Sequence, residues 1–228
     1  MRAPLSIIIP TLEAGKHLPL TLYALGEGLA AGLIRELIIS DGGSEDNTSL
    51  IADEAGATFI TGPRGRGGQL RRGANAAQGQ WLLFLHADTK LDRGWSQVLQ
   101  DHISNHPDQA GYFKLAFDDQ RLSARWTAGW ANLRARAFNL PYGDQGLLIS
   151  RKLYEQVGGF QDIPLMEDVA IARVLGKRLK PLPAKATTSG QKYSQKGYFR
   201  RGARNLSLLL RYLLGADPKH LASVYDKS

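Results

Sequence analysis

The sequence predicts an α/β domain with a mostly parallel central sheet and helices on both faces. Three observations carry that expectation. Over roughly the first 115 residues, β-rich apolar runs alternate with segments whose apolar residues recur at helical spacing. Trp81 to Leu85 is a continuous apolar run, as expected of a strand buried on both faces. It stops abruptly on His86-Ala87-Asp88, and in open α/β sheets ligands bind where strands end at their carboxyl edge.

Taken in order, Leu5 to Ile9 is the first strand, and Leu18, Leu22, Leu25 and Leu29 then repeat at helical spacing. Glu36 to Asp41 is the second strand, closed by Gly42-Gly43. Ser44-Glu45-Asp46 is a helix start signal, and that helix runs to about Ala55. Ala57 to Ile60 makes a third strand. Gly62-Pro63-Arg64-Gly65-Arg66-Gly67-Gly68 reads as a flexible basic loop opening a small-residue helix through Ala77. Trp81 to Leu85 is the fourth strand. Beyond it the pattern is less regular. Tyr112 to Phe117 and Gly146 to Ser150 read as strands, and Leu122, Trp126, Trp130, Leu133 and Ala137 share one helix face. Glu167 starts a helix through about Leu175, and Tyr198 to Leu214 is amphipathic. With no repeat or composition break, residues 1–228 read as a single domain.

Composition narrows the function classes. A hydrophobic content of 43% suits a globular domain, and the lack of cysteine excludes disulfides, Cys-ligated zinc and thiol catalysis. No stretch approaches the ~18 continuous apolar residues of a membrane span. Met1-Arg2-Ala3-Pro4 leads into a run too short for a secretion signal, so the cytoplasm is the expected compartment. The net charge of +8 points to phosphate-bearing ligands, anionic lipid or nucleic acid, against the plain alternative of a basic surface kept for solubility.

The strand ends make a coherent site. Pro10-Thr11-Leu12-Glu13 follows the first strand, Asp41 ends the second and Asp88 the fourth. Three neighbouring strands thus place polar groups at one edge, the geometry of a nucleotide pocket. An isolated strand-end aspartate more often caps a turn. Asp41, Asp88 and the downstream Glu167-Asp168 pair together favour chemistry. A carboxylate on the second strand can accept hydrogen bonds from a base or ribose. Asp88 suits Mg²⁺ or Mn²⁺, hard cations that prefer carboxylate and phosphate oxygens. The Gly-rich loop can approach phosphates closely because glycine removes side-chain obstruction.

Four segments then carry a family resemblance: IIIPTLEAG, LIISDGGSEDNT, RRGANAAQGQWLLFLHADT and GGFQDIPLMEDVAIARVL. In that order and spacing they resemble the opening strand and nucleotide loop, the second strand, the approach to the metal-binding Asp-x-Asp and the Glu-Asp helix of inverting family-two glycosyltransferases. LPYGDQGLLISR and the RRGARN tail further resemble a bacterial subgroup described as selenodomain-associated transferases. The resemblance implies a Rossmann-like GT-A fold divided into a nucleotide-binding half (1–115), an acceptor half (116–195) and a helical tail (196–228). It implies a nucleoside-diphosphate sugar donor, most often of uridine, and a divalent metal. Pro10, Thr11, Glu13 and Asp41 would frame the nucleoside. His86, Ala87 and Asp88 fall at the metal motif, with Asp88 binding the metal and, through it, the diphosphate. Arg66, Gln69 and Arg71 would contact nucleotide or phosphate. Asp168 would be the general base and Glu167 would orient it or touch the acceptor, while Asp144 and Gln145 would line the sugar or acceptor pocket. The acceptor is not specified.

Two departures matter. The first carboxylate of the metal motif is His86, for which hydrogen bonding is favoured over ligation. The Gln-x-x-Arg-Trp motif of processive enzymes is missing, which argues against polysaccharide synthesis. Rival readings are a sugar-phosphate nucleotidyltransferase, whose Gly-rich signature after the first strand is replaced by Pro10-Thr11, and a non-catalytic basic module for membrane or nucleic acid. A dinucleotide-binding fingerprint fails because position 70 is Leu, and nucleic acid is not expected because no recognised motif is present. In the tail, Arg200, Arg204, Ser207 and Arg211 form one stripe and Phe199, Leu206, Leu209 and Leu213 another. The earlier helix pairs Trp126 and Trp130 with arginines in a similar way, and such helices can lie on an anionic membrane, arginine near the headgroups and tryptophan at the boundary, at the inner membrane face for a cytoplasmic protein. The plainer expectation is that the apolar stripes of both this helix and the Trp126 helix pack on the sheet and their arginines stay solvated. Arg200 or Arg201 could also close over the diphosphate.

Overall fold

Alternation along the first strand divides the core in two. In the computed structural model, which describes residues 3–190 and 197–226 (the side chains of Phe199, Arg200 and Asp226 excepted), β1 is Leu5–Thr11. Leu5, Ile7 and Ile9 enter one hydrophobic cluster with Leu18, Leu25, Trp95 and Leu99, while Ile8 enters another with Leu70, Phe84, Tyr154 and Ile171. Successive strand residues point to opposite sides, so helices must cover both faces, and they do.

The described residues form one eight-stranded sheet in the order β3-β2-β1-β4-β7-β6-β8-β5. β2 (Ile34–Asp41), β3 (Thr58–Thr61) and β4 (Trp81–Phe84) join β1 in a fully parallel half. Their crossovers are α1 (Leu18–Ala30), α2 (Thr48–Glu54) and α3 (Arg66–Ala76). The second half is mixed. β7 (Leu147–Ser150) runs antiparallel to β4 and to β6 (Ala110–Phe117); β6 is parallel to β8 (Leu179–Thr188), whose far edge holds the short antiparallel β5 (Thr89–Leu91). The parallel expectation therefore holds for β1 to β4, and the sheet as a whole is mixed.

Several elements had no counterpart in the sequence reading. β5 has only three residues. β8 contains Pro181 and Pro183, which cannot donate to a ladder. Its pairing with β6 accommodates them through a register shift between Tyr112 and Lys114. The helices α4 (Trp95–Asn105), α6 (Arg151–Gln156) and α9 (Pro218–Asp226) were also unread.

The two amphipathic helices behave differently. In α8 (Tyr198–Leu213), Leu206, Leu208 and Leu209 pack in a third cluster with Met166, Val169 and Leu221. In α5 (Leu122–Phe138), the stripe expected against the sheet faces outward instead: Leu122, Trp126, Trp130 and Leu133 are all more than half exposed. Alanines 124, 128, 131 and 135 make its buried side. No helix among the described residues is long and apolar enough to cross a membrane.

Candidate active site

At the carboxyl edge of the parallel half, β1 and β2 end side by side, with Thr11 opposite Asp41. The Thr11 hydroxyl donates to Asp41 Oδ1 at 2.7 Å. Asp41 also accepts from the Ser44 hydroxyl (2.6 Å) and from the backbone N–H groups of Gly43 and Ser44 (2.7 Å each). Burial raises its pKa, but these four donors outweigh burial and hold the carboxyl below its ordinary value. Asp41 is 1% exposed, so it supports the loop rather than lining a pocket, and a nucleoside would meet it directly only by displacing one donor. Glu13, in the left-handed region at φ 50°, clamps the same loop: its carboxylate accepts from Glu45 N–H and its own N–H donates to Ser44 Oγ, both at 2.8 Å. Pro10 continues β1 opposite Ser40.

The Gly-rich segment corrects the sequence reading. Arg66, Gly67 and Gly68 are already helical, in the first turn of α3. A Cβ at Gly67 would collide with the carbonyl oxygen of Gln161, and one at Gly68 would lie 2.7 Å from Asp162 Oδ1. The glycines admit the 161–163 loop of this same chain rather than a phosphate. Gln69 is likewise internal: Nε2 donates to the carbonyls of Thr11 (2.6 Å) and Ser40 (2.9 Å), stapling β1 to β2. Arg71 is exposed and its charge acts on Tyr154, away from the strand ends. The residue that reaches them is Arg72, which donates to the Asp41 carbonyl at 3.0 Å. Its spacing from Gln69, one turn on, was the available signal.

The carboxylates gather on the other side of β4. His86 is half-buried, and a Cβ on Gly143 would lie 2.6 Å from its Nε2. The Ala87 carbonyl accepts from Thr21 Oγ1 at 2.8 Å, fixing the turn before Asp88. Asp88 borders a cleft of about 540 Å³ with His17, Lys90, Asp118, Arg121 and Ser189. A narrower apolar cavity of about 30 Å³ lies between His86, Gly143, Glu167 and Asp168. α7 (Glu167–Leu175) opens after Met166, which is left-handed at φ 69°. Asp168 Oδ2 accepts from Gly143 N–H and Oδ1 from Val169 N–H, each at 2.7 Å. Glu167 is almost fully buried, with Oε1 3.6 Å from Arg66, whose side chain is half exposed. Burial, reinforced by the charge of Asp168, lifts Glu167 to about 7. Asp144 is lifted to about 6 by burial, with Asp168 and Asp88 adding repulsion and Arg134 and Arg66 opposing it.

Gln145 departs from its expected acceptor role. It is fully buried, donating to the Phe113 carbonyl at 3.1 Å and accepting from Tyr142 N–H at 3.2 Å, and so shapes the turn that presents Asp144 and Gly143. Arg134 was passed over in the sequence because one arginine among several on a helix gives no sign of burial. It stacks 3.4 Å over the Tyr142 ring and donates to the Leu140 carbonyl at 3.0 Å. Arg201 donates to the Tyr225 hydroxyl at 3.0 Å, and the Arg200 side chain lies outside the described residues.

Among the described residues no three His, Cys, Asp or Glu side chains converge as a self-contained metal cage. What is present, Asp88 bordering a cleft that also carries Asp118 and Asp119, with Arg121 paired to Asp119, fits a cation shared with a ligand's phosphates, since Mg²⁺-type ions commonly take only one or two protein carboxylates.

A parallel half with crossover helices joined to a mixed half is the architecture of a GT-A domain. The chain belongs to glycosyl transferase family 2, whose sequence profile matches residues 6–158. A PGL/p-HBAD biosynthesis glycosyltransferase of Mycobacterium tuberculosis is 37% identical over 99 residues, 40% of this chain and 38% of that protein; the match thus spans well under half of the relative. Among solved structures, Staphylococcus aureus TarS 1–349 superposes with a TM-score of 0.62 at 15% identity over 96% of this chain and 68% of that one. The same fragment in complex with UDP-GlcNAc gives 0.61 at 16% identity, covering 81% and 58%. GalNAc-T7 with UDP, GalNAc and Mn²⁺ gives 0.63 at 15% identity, covering 82% and 44%. At such identities these structures establish the fold.

Proposed function

We propose that this domain moves a sugar from a nucleoside-diphosphate donor, a UDP-sugar before others, to an acceptor hydroxyl with inversion at the anomeric carbon. The observation that carries the reading is a convergence of charge. A Cβ on Gly143 would lie 2.6 Å from His86 Nε2 and 3.5 Å from Asp168 Oδ2, so the segment after β4, the start of α7 and the 143–145 turn meet, with Asp88 two residues on bordering the adjoining cleft, and the charges of Asp168 and Asp88 both act on Arg66 and Asp144. The UDP-containing GT-A neighbours support the choice of donor.

In this reading residues 1–115 hold the nucleotide, with Thr11, Glu13 and Asp41 building the nucleoside wall through Gly43 and Ser44. Asp88 would hold a Mg²⁺ or Mn²⁺ ion, which when bound neutralises charge on the diphosphate. Arg66, half exposed, adds a guanidinium on the same side, its positive charge favoured by Glu167, Asp168 and Asp88. Asp168 is the general base. Each of its oxygens accepts one backbone N–H and keeps a second lone pair for the acceptor hydroxyl. As the acceptor oxygen bonds to the anomeric carbon, the bond to the diphosphate breaks and the hydroxyl proton passes to Asp168. Asp144 faces the acceptor side, residues 116–195 shape that half, and Glu167 holds Arg66.

The test is a thermal-shift panel of nucleoside diphosphates and their sugars with and without Mn²⁺, followed by transfer assays on whichever donor stabilises. Stabilisation by UDP or a UDP-sugar, with release of UDP on turnover, is expected. Release of pyrophosphate would replace this reading with nucleotidyl transfer. Indifference to every nucleoside diphosphate would remove it.

A further inference from the structure

We infer that the outward face of α5 seats this protein on an anionic lipid bilayer. Among the described residues the face is an apolar stripe with nothing packed over it: Leu122 is 70% exposed, Trp126 73%, Trp130 53% and Leu133 57%. At 3.6 residues per turn these four and Ala137 fall within about 80° of the helix circumference, and Arg125 and Arg136 run along one edge. The stripe is not a core face turned out by accident. The opposite side of α5 is anchored on β6, where Asn132 accepts from Leu115 N–H at 2.8 Å and donates to the Leu115 carbonyl at 3.0 Å.

Charge selects the occupant. No acidic side chain occurs between Leu122 and Phe138, whereas the segment carries Arg125, Arg134 and Arg136. Of these Arg134 is buried, and the other two project with the stripe. A second copy docked by a two-fold axis would set arginine against arginine with no carboxylate on the helix to meet them. A membrane of acidic lipids resolves both properties together. Tryptophan and leucine enter the boundary region, tryptophan being favoured there, and the arginines reach headgroup phosphates. The helix is about 25 Å long, so the stripe offers an extended line of contact rather than a single point. Its stripe residues line neither cavity of the candidate active site, so the inference stands apart from the proposed reaction.

The chain supplies its own reporter. Trp81 and Trp95 are buried, at 6% and 0% exposure, so a change in tryptophan emission on adding vesicles reads Trp126 and Trp130. The full chain is mixed with phosphatidylcholine vesicles, with and without 30 mol% phosphatidylglycerol (an arbitrary but strongly anionic choice, about a third of the headgroups). Expected are co-sedimentation and a blue-shifted emission with the anionic vesicles, both weakened by salt. Trp126→Glu/Trp130→Glu should lose at least about tenfold in partitioning, and Arg125→Glu/Arg136→Glu should abolish the preference for anionic vesicles. Far-UV circular dichroism and the thermal midpoint should stay at wild-type values in both, because these side chains are exposed. Wild-type protein that stays in the supernatant with both vesicle types overturns the inference. So does vesicle binding that survives the tryptophan substitutions, or a concentration-dependent dimer that those substitutions dissolve while vesicles are ignored.

Discussion

The backbone N–H of Gly143 donates to Asp168 Oδ2 at 2.7 Å, and the same glycine leaves no room for a side chain. A Cβ there would stand 2.6 Å from His86 Nε2 and 3.5 Å from Asp168 Oδ2. One residue thus fixes the spacing between the strand-end histidine and the proposed base. Gly143→Ala keeps the N–H but displaces the imidazole. It should lower kcat on the order of 10- to 100-fold, since displacements of about 1 Å at a reacting centre reach that size. Steady-state kinetics should show the donor KM little changed. A loss confined to KM would mean that Gly143 serves binding instead.

Asp168→Asn preserves shape and keeps an oxygen to accept one of the two backbone N–H groups, yet cannot take a proton. Transfer should fall by about 10² to 10⁴, the usual contribution of a positioned base, while UDP still raises the thermal midpoint. Turnover at the wild-type rate would transfer the role to another carboxylate, with Asp144 the next to substitute.

Asp88→Ala removes the open carboxylate at the end of β4. At a hundred times its dissociation constant a ligand adds about 2.7 kcal/mol of stability, so the midpoint rise with UDP and Mn²⁺ is large enough to dissect. The Mn²⁺-dependent part should vanish in the variant and any metal-independent part remain. Equal Mn²⁺ dependence in variant and wild type would place the cation elsewhere.

Gln69 tests whether the strand-end architecture is held from within. Gln69→Leu leaves the Thr11 and Ser40 carbonyls without their side-chain donor in a buried setting. A destabilisation of about 1–3 kcal/mol is expected from urea unfolding, with weaker UDP binding because the β1 and β2 loops lose their staple. Weaker UDP binding with unchanged stability would instead argue for direct contact with the nucleotide.

The parallel half was legible because its strands are unbroken apolar runs ending on polar residues, a pattern that burial on both faces imposes. β8 was hidden by Pro181 and Pro183, which its ladder with β6 accommodates by an irregularity in β8 itself, four residues from Pro181 to Lys185 spanning two from Tyr112 to Lys114. Within the site, residue type was readable and orientation was not. A helix carrying Arg66, Gln69, Arg71 and Arg72 shows basic character, but its rotational phase decides that Arg72 meets the Asp41 carbonyl and Arg71 does not. Gly67 and Gly68 show that something approaches closely; only the fold shows that it is the 161–163 loop. Gln145 beside Asp144 looked equally available to a substrate until the turn placed one inward.

Glu167 joins the site to stability. Its carboxyl rises from 4.5 to about 7, through burial first and the neighbouring Asp168 second, with Arg66 opposing. Between those values the folded chain binds a proton that the unfolded chain has released, so this residue's contribution to stability declines as pH climbs through the interval. Asp144, raised from 3.8 to about 6, acts in the same sense at lower pH. Glu167→Gln keeps the shape and removes the buried charge. At pH 4, below the unfolded value, the glutamate is largely neutral in folded and unfolded chains alike and the two proteins should melt alike. At pH 8 the variant is relieved of a penalty on the order of 3 kcal/mol, less the weak attraction to a half-exposed Arg66. A net gain of about 1–2 kcal/mol should raise the midpoint by about 3–6 °C at pH 8. Scanning calorimetry across pH 4 to 8 decides it: an offset of the same size at both ends would mean that Glu167 does not exchange a proton on folding in this range, held by Arg66 more firmly than their 3.6 Å separation suggests.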